Sequence, residues 1–412
     1  MKYGLIGERL GHSFSKIIHE ELTGIEYTLT ELMPDELDPF MIKRDFSAIN
    51  VTLPYKQSVI KHLDFIDENA KNIGAVNTVV NRGGSLYGYN TDFYGMQMLF
   101  SKAGIDVTDK KAVILGSGGT SRTASAVLKS LGAREILRVS RTARDGAIDY
   151  GELISRHSDA KIIVNTTPKG MYPDLLGTPV DLSYFERLTG VIDAVYNPIR
   201  TQLVLDAKKR GIPALGGLYM LVGQAVRASE IFHGCEYPDG TLDRLFSSVL
   251  TGKENIVLIG MPACGKSTVG RIIAEKLSRR LVDTDELIRQ RAGMEIREIF
   301  EKHGEREFRR LENEVIREIS GEGSLVIATG GGAVINPENV SALKKNGRLY
   351  FIDRPKELLI PTESRPLSSD RASIEKRYSE RYPIYSSSAD FRVDADCPPE
   401  QVAEKILENF KK

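Results

Sequence analysis

A nine-residue stretch in the second half of the chain, residues 260–268, constrains the fold more than any other feature. It reads G-M-P-A-C-G-K-S-T and matches the phosphate-binding pattern G-x-x-x-x-G-K-[ST] at every position. An apolar run of strand type, 256–259, precedes it, and apolar residues at helical spacing follow it. Glycines let backbone N–H groups turn toward phosphate oxygens, and the next helix presents the positive end of its dipole. The stretch therefore predicts strand, loop and helix around a nucleotide, rather than an ordinary glycine-rich turn.

Chain length and the position of this loop indicate more than one domain. A chain of 412 residues corresponds to two or three domains of ordinary size. Because the loop follows the first strand of its own domain, that domain should span 256–412, with 251–255 as a short polar linker. The roughly 250 residues in front of it need a fold of their own.

Composition bears on partners and compartment. The 56 basic and 56 acidic residues leave a formal net charge of zero, so neither nucleic acid nor an anionic membrane is an expected partner. Apolar runs are too short for a membrane span, and the first residues are too short a run for a signal peptide. Cys235, Cys264 and Cys397 lie far apart without metal-ligand or disulfide spacing, which is typical of a reducing, cytoplasmic compartment.

Polar side chains follow the predicted strands of the first 95 residues. Ser13 and Ser15 come after the strand 3–6 and before a helical pattern, so they either cap a helix or face a polyhydroxylated ligand. An alternating strand, 49–53, leads to Lys56 at its carboxyl end, where α/β sheets place ligands.

A hairpin is predicted next, with arms at 74–81 and 86–92 around the sequence R-G-G-S. Its second arm ends at Asp92, which would be either a helix N-cap or a functional carboxylate.

Four segments of this first part resemble shikimate dehydrogenase in family order and spacing: 12–15 (H-S-F-S), 50–56 (N-V-T-L-P-Y-K), 74–78 (G-A-V-N-T) and 88–92 (G-Y-N-T-D). The resemblance implies that Lys56 and Asp92 form the catalytic pair and also touch substrate. It implies further that a set of polar residues holds the cyclohexene carboxylate and its hydroxyls: Ser13, Ser15, Thr52, Asn77, Asn90, Tyr196 and Gln224.

The lysine has a chemical role in such a reaction. A lone lysine after a strand is usually a surface charge. Reducing a ketone by hydride, however, leaves an alkoxide that needs a proton, and an ammonium beside the forming oxygen can supply it. A neighbouring carboxylate would hold that ammonium in place.

A dinucleotide site is predicted in residues 96–216. The buried strand 112–115 leads into a glycine loop and a helical pattern, the context that a Rossmann fingerprint requires. The second strand ends without an acidic residue for a ribose hydroxyl and offers Arg141 and Arg144 instead. Guanidinium groups suit a 2′-phosphate, so NADP(H) is favoured over NAD, with a solvated basic turn as the alternative. The motifs and the resemblance together predict that these residues contact the cofactor: Gly116, Ser117, Gly118, Gly119, Thr120, Ser140, Arg141, Thr142, Arg144, Gly217 and Met220.

The last part carries further polar motifs after the phosphate loop. Asp283 and Asp285, expected to share a face at a strand end, would serve Mg²⁺ and a sugar-like hydroxyl, or merely cap a turn. Arg309 and Glu312 lie one helical turn apart and could simply pair with each other. Three successive glycines beginning at Gly330 permit close approach of backbone to a ligand.

The motifs G-K-S-T, D-T-D, G-E-R-E-F-R, T-G-G-G, R-P-L and R-Y-P-I-Y resemble shikimate kinase in their order. The resemblance implies that Lys266 and Asp285 act in catalysis and that Ser267 and Asp283 serve Mg²⁺. Shikimate would contact Asp285, Arg309, Gly330, Gly331, Gly332 and Arg381. ATP would contact Met261, Pro262, Ala263, Cys264, Gly265, Lys266, Ser267, Thr268 and, from the lid, Arg365. The lid segment 354–369 is shorter than is usual in the family and lacks its arginine before R-P-L, so a weak KM for ATP is expected.

The chain is thus predicted to be α/β throughout. A two-lobed unit would combine an α/β substrate lobe (1–95, completed by helices in 217–250) with a Rossmann NADP lobe (96–216). A P-loop kinase domain with a central parallel sheet, like that of nucleoside monophosphate kinases, would follow it.

The expected function is reduction of 3-dehydroshikimate with NADPH, followed by phosphorylation of the resulting shikimate with ATP. The alternatives are a quinate-specific NAD enzyme in the first half, a kinase for another hydroxylated acid such as gluconate, and a non-catalytic binding protein with one dead half.

Overall fold

The computed structural model describes residues 1–10, 14–143, 146–359 and 371–411. The chain divides into two compact units, Met1–Val249 and Leu250–Lys412. Ser13, Arg144 and Arg365, three of the predicted site residues, lie outside the described residues.

The first unit contains a mixed six-stranded sheet with strand order β2-β1-β3-β5-β6-β4. Its strands are β1 (Tyr3–Gly7), β2 (Thr28–Glu31), β3 (Ala48–Val51), β4 (Phe65–Ile66), β5 (Thr78–Arg82) and β6 (Ser85–Tyr89). The strands β1, β2 and β3 run parallel, whereas β5 is antiparallel to both neighbours. The predicted hairpin is present, since β5 and β6 pair as antiparallel neighbours. Gly83 and Gly84 form its turn, with φ of 60° and 92°.

A second, parallel sheet in the same unit has the order β11-β10-β9-β7-β8. Its strands are β7 (Lys111–Leu115), β8 (Glu135–Val139), β9 (Ile162–Asn165), β10 (Gly190–Asp193) and β11 (Ala214–Leu215). Alternate residues of β7 point into two different cores: Ala112 and Ile114 into one, Val113 and Leu115 into the other. Burial on both faces explains why these strands read as continuous apolar runs.

Nine helices accompany these sheets in the described part of the chain. They are α1 (Ser15–Thr23), α2 (Leu37–Lys43), α3 (Glu68–Ile73), α4 (Thr91–Lys102), α5 (Gly119–Ser130), α6 (Tyr150–Arg156), α7 (Gln202–Lys209), α8 (Leu218–His233) and α9 (Thr241–Lys253). Helix α5 covers one face of the parallel sheet and α7 the other. Helices α4 and α8 cross at Gly95 and Gly223. A Cβ on Gly95 would lie 2.5 Å from the Met220 carbonyl oxygen, so a side chain would not fit there.

The second unit is built on a parallel five-stranded sheet with the order β13-β14-β12-β15-β16. Its strands are β12 (Asn255–Ile259), β13 (Arg280–Asp283), β14 (Leu325–Ala328), β15 (Gly347–Asp353) and β16 (Phe391–Asp394). Its helices are α10 (Lys266–Leu277), α11 (Thr284–Ala292), α12 (Ile296–Ile319), α13 (Pro337–Asn346), α14 (Arg371–Ser388) and α15 (Pro399–Phe410). The first strand, β12, lies at the centre, so the phosphate loop opens where strand order reverses, a usual ligand position in α/β sheets.

Two local expectations need correction. Residues 251–253, expected in a linker, form the last turn of α9, because the apolar pattern that buries Leu245 and Val249 one turn apart carries the helix on to Lys253. Asp283 and Asp285 do not share a face at the end of a strand, because β13 ends at Asp283 and Asp285 lies in the first turn of α11.

Helix α12 contains a kink. Gly304 adopts φ 80° and ψ 172° inside it, a conformation that interrupts the helix. Among the helices that the structure describes, none is both long and apolar enough to cross a bilayer.

Candidate active sites

Residues at the ends of strands in the first sheet, helix α8 and the second sheet line one cleft of about 360 Å³. Many of the residues predicted from the sequence for substrate and cofactor line it: Ser15, Thr52, Lys56, Asn77, Asp92, Thr120, Tyr196, Gly217, Met220 and Gln224. Asn90 is not among them. Its side chain is buried, accepts a hydrogen bond from Phe93 N (3.2 Å) as N-cap of α4, and donates to the Ala75 carbonyl oxygen (2.9 Å).

Lys56 and Asp92 meet in this cleft. Lys56 Nζ donates to Asp92 Oδ2 at 2.6 Å, and the two side chains keep 27% and 17% of their surface exposed. Asp92 is not the helix cap, since Asn90 takes that position. The pair is partly desolvated yet still open to a ligand, so an ammonium is held at a fixed point of the cleft.

A buried hydrogen-bond network fixes the helix that carries Asp92. Asn77 Oδ1 accepts from Thr91 N (2.7 Å), and Asn77 Nδ2 donates to Thr91 Oγ1 (3.1 Å). Behind it, Asn50 Nδ2 donates to the Asn77 carbonyl oxygen (3.2 Å) and Tyr27 OH donates to Asn50 Oδ1 (2.7 Å). Satisfied buried networks of this kind hold neighbouring side chains in one arrangement. Asn77 therefore both lines the cleft and positions the start of α4.

The glycine loop after β7 has the geometry of a phosphate cradle. Gly116 has φ 115°, and a Cβ there would lie 2.6 Å from Thr166 Oγ1, so a side chain would not fit. Helix α5 starts with Gly118 as N-cap and has no side chain capping its first turn. Free N–H groups at a helix N-terminus attract phosphate, and Ser117, Gly118, Gly119 and Thr120 surround this point.

The segment that follows β8 exposes a cation, Arg141, to solvent. Arg141 and Thr142 are exposed, while Ser140 is buried and donates from Oγ to the Thr142 carbonyl oxygen. An exposed guanidinium beside a buried serine fits a 2′-phosphate better than a bare 2′-hydroxyl.

The carboxyl group of Asp193 lies buried near the cleft, and the sequence did not predict a role for it. Desolvation raises the pKa of Asp193, at the end of β10, to about 6. Its oxygens accept hydrogen bonds from Asn165 Nδ2 (2.9 Å), Val195 N (2.9 Å) and Thr201 Oγ1 (2.6 Å). The residue therefore shapes the turn that brings Tyr196 to the cleft. A lone acid at the end of an apolar strand was the available signal.

In the second unit the predicted phosphate loop is present. Gly260 and Gly265 adopt φ of 145° and 99°, and Ala263 has φ 63°. Met261 and Cys264 are buried, Pro262 is half-buried, and Thr268 is exposed.

Helix α10 begins at Lys266, whose Nζ donates to the carbonyl oxygens of Gly260 (3.0 Å) and Met261 (2.8 Å). The lysine thus lies over the loop, where phosphate oxygens would replace the carbonyls as its partners.

Two oxygen donors that suit Mg²⁺ lie beside this loop. Ser267 Oγ donates to Asp283 Oδ2 at 2.7 Å. Asp283 also caps α11, since its Oδ1 accepts from Asp285 N at 3.0 Å. Magnesium in nucleotide sites is usually held by one or two protein oxygens together with phosphates and water, and these two residues fit that pattern.

A compact group of charges faces the three-glycine turn. An added Cβ on Gly330 would lie 2.5 Å from Asp285 Oδ1, and one on Gly332 would collide with the Arg309 guanidinium. Arg381 Nη1 donates to the Gly331 carbonyl oxygen at 3.1 Å. The structure therefore brings Asp285, Arg309, Arg381 and the three glycines together.

Glu312 belongs to this group as well. It is 1% exposed and accepts from Arg309 Nη1 at 2.8 Å, so the pairing that the helical spacing predicted is present. Burial raises the pKa of Glu312, and its Oε1 has no hydrogen-bond partner among the described atoms. The sequence offered this residue only as a partner of Arg309, and its burial marks it as part of the site.

Comparisons with known proteins identify two families along the chain. The family model for the shikimate dehydrogenase substrate binding domain matches residues 5–79, and that for shikimate kinase matches residues 262–411. The curated shikimate dehydrogenase (NADP⁺) of Clostridium beijerinckii is 39% identical over 260 residues, covering 60% of this chain and 96% of the relative. That of Halothermothrix orenii is 37% identical over 263 residues, covering 56% and 90%.

Solved structures of shikimate dehydrogenases are similar to 60% of this chain. The crystal structure of a chorismate mutase/shikimate 5-dehydrogenase fusion protein from Clostridium acetobutylicum is 36% identical with TM-score 0.56, covering 60% of this chain and 96% of that one. Shikimate 5-dehydrogenase from Thermus thermophilus in complex with NADP(H) and shikimate is 27% identical with TM-score 0.54, covering 60% and 99%. Through its first part this chain belongs to the shikimate dehydrogenase family, and at residues 262–411 it carries a shikimate kinase domain.

Proposed function

We propose that this chain catalyses two consecutive reactions. The first is the NADPH-dependent reduction of 3-dehydroshikimate to shikimate, and the second is the Mg²⁺- and ATP-dependent phosphorylation of shikimate to shikimate 3-phosphate. One observation carries the proposal: a cleft with an ion-paired lysine and a phosphate loop beside an Arg/Asp group occur in the same polypeptide. The substrate of the second reaction is the product of the first.

In the reduction, Lys56 donates the proton. NADPH, when bound, supplies the hydride. The Lys56 ammonium faces the oxygen that gains negative charge and transfers a proton to it, while Asp92 holds the ammonium at 2.6 Å. Ser15, Thr52, Asn77 and Gln224 line the same cleft and orient the ring hydroxyls and carboxylate.

In the phosphorylation, positioning and charge neutralisation do most of the work. Arg309 and Arg381 grip the carboxylate of shikimate, which guanidinium groups bind in a bidentate way. Asp285 accepts the proton of the reacting hydroxyl. Lys266 neutralises charge on the phosphates. Ser267 and Asp283 would hold Mg²⁺, which would supply further positive charge to the phosphates.

We assign the reduction to residues 1–250 and the phosphorylation to residues 256–412. Within the first, 1–95 together with helices of 217–250 would bind the ring acid, and 96–216 would bind NADPH. The partners are small molecules, without nucleic acid or membrane, and the compartment is the cytoplasm.

The test is a coupled assay with 3-dehydroshikimate, NADPH and MgATP. The wild-type chain should consume NADPH and release shikimate 3-phosphate. Lys266→Ala should consume NADPH at the wild-type rate and accumulate shikimate, because only the phosphate loop has changed. Failure of wild-type protein to form either product, or phosphorylation at the wild-type rate by Lys266→Ala, would contradict the proposal.

A further inference from the structure

We propose that Arg9 is an additional substrate-binding residue of the dehydrogenase cleft, and that its guanidinium pairs with the carboxylate of the ring acid. This inference rests on the proposed function of the cleft. Arg9 follows β1 by two residues and lines the cleft together with Ser15, Lys56 and Asp92.

The backbone on both sides of Arg9 is anchored. Glu8 N donates to the Leu53 carbonyl oxygen (3.3 Å), and Leu10 N donates to Glu31 Oε1 (2.7 Å). Leu10 is itself buried. The preceding strand end lies close to the substrate side, since a Cβ on Gly7 would be 2.6 Å from Thr52 Cγ2. The loop therefore presents Arg9 to the cleft from an anchored backbone, and the side chain of Arg9 is exposed.

The charged residues of the cleft indicate a role for Arg9. Among the described residues that line the cleft, the charged ones are Arg9, Lys56 and Asp92. Lys56 and Asp92 neutralise each other at 2.6 Å. Arg9 takes part in no ion pair with any residue that the structure describes, so it supplies the net positive charge of the cleft. The carboxylate of an anionic substrate loses hydration when it enters the cleft. It therefore needs a counter-charge there, because a buried charge without a partner is unfavourable.

The guanidinium of Arg9 is chemically suited to the carboxylate of the ring acid. Neutral hydroxyls such as that of Ser15 can accept or donate hydrogen bonds but bring no charge. A guanidinium is always protonated, and its planar fork pairs with a carboxylate through two parallel N–H···O bonds. Because Lys56 is committed to the reacting oxygen, Arg9 is the cation that remains for the carboxylate.

A cofactor phosphate is the other anion that could reach this cleft, since Thr120 and Gly217 also line it. The two possibilities differ in the constant that Arg9 controls. Pairing with the ring acid affects KM for shikimate, whereas pairing with the cofactor affects KM for NADP⁺.

The experiment compares wild type, Arg9→Ala, Arg9→Lys and the control Arg156→Ala, an exposed arginine on α6, in the oxidation of shikimate and of shikimate methyl ester with NADP⁺. For shikimate, Arg9→Ala should raise KM about 10- to 100-fold, with kcat within about threefold and KM for NADP⁺ unchanged. For the uncharged ester, wild type and Arg9→Ala should have equal kcat/KM, which also shows that the variant is folded. Arg9→Lys should fall between them, and Arg156→Ala should match wild type.

Three results would overturn the inference: unchanged kinetics of Arg9→Ala on shikimate, an equal loss on acid and ester, or a rise in KM for NADP⁺ in place of KM for shikimate. In each of these the wild-type enzyme still oxidises shikimate, so the proposed function stands. A wild-type chain that neither oxidises nor binds shikimate would remove the proposed function, and the role of Arg9 with it.

Discussion

Lys56 Nζ and Asp92 Oδ2 lie 2.6 Å apart, although 36 residues separate them in the chain. The lysine follows β3 and the aspartate lies in the first turn of α4, so two elements converge on one point of the cleft. The buried amide of Asn77 fixes the second of these elements by its hydrogen bonds to Thr91. The reacting oxygen of a ketone would meet a charge whose position the fold has already determined.

Replacing Lys56 should affect turnover far more than binding. In Lys56→Ala the alkoxide has no proton donor, and kcat for reduction should fall by about 10²- to 10⁴-fold, while the affinity for shikimate changes far less. Lys56→Arg keeps the positive charge but donates a proton poorly, so its kcat should remain low. Steady-state kinetics with NADPH, together with shikimate titration, would measure both effects.

Lys61→Ala is the matched control for that experiment, because Lys61 is an exposed lysine paired with Asp38. It should behave as wild type. Near-normal turnover by Lys56→Ala would exclude Lys56 as the proton donor.

A methyl group on Gly332 should weaken shikimate binding by the kinase. The added Cβ would occupy the space of the Arg309 guanidinium, which would have to leave the three-glycine turn. We expect Gly332→Ala to raise KM for shikimate in the kinase reaction by about tenfold or more, with KM for ATP unchanged. Gly252→Ala is the control, since an added Cβ there meets no atom within 4 Å. A rise confined to KM for ATP would contradict the assignment of Arg309 to shikimate.

The buried carboxyl of Asp193 should make the stability of the first unit depend on pH. Burial raises its pKa to about 6, against an ordinary value of 3.8. The native state therefore binds this proton more tightly than the unfolded chain does. The stabilisation is complete below pH 3.8 and is lost as pH rises through about 6, a difference of about 3 kcal/mol.

Asp193→Asn has no such titration. The free energy of unfolding of wild type relative to Asp193→Asn should fall as pH rises from 4 to 7, measured by denaturant titration of the first unit. Asp181→Asn is the comparison of opposite sign, because the hydrogen bond from Ser183 N lowers the pKa of Asp181, so its contribution is lost toward acid pH. A pH-independent difference between wild type and Asp193→Asn would show that Asp193 is ionised in the native state throughout this range.

Arg141 should contribute to the choice of cofactor. We expect Arg141→Ala to lower kcat/KM for NADPH by about tenfold or more and to leave kcat/KM for NADH nearly unchanged, because only NADPH carries a 2′-phosphate for the guanidinium. Arg134→Ala, which removes another exposed arginine of the same unit, serves as control. A wild-type enzyme with higher kcat/KM for NADH than for NADPH would contradict this interpretation of the β8 end.

Local motifs were predictable from the sequence because they depend on residues near one another in the chain. The phosphate loop, the hairpin at Gly83 and Gly84 and the glycine loop at Gly116 all need backbone conformations that glycine adopts readily. The sequence was less informative at element boundaries. Asp285 was expected on a strand and lies in a helix, and residues 251–253 were expected in a linker and end α9.

The amino-acid sequence by itself determined which segments become strands, loops and helices around phosphates, since periodicity and glycine positions act locally. Only the tertiary structure decided which distant charges meet. It paired Lys56 with Asp92, buried Asp193 and Glu312, and left Arg9 in the cleft without a counter-ion among the described residues. The reason is physical: ion pairing and desolvation depend on distances in space and on exclusion of water, and both arise only when the sheets and helices pack.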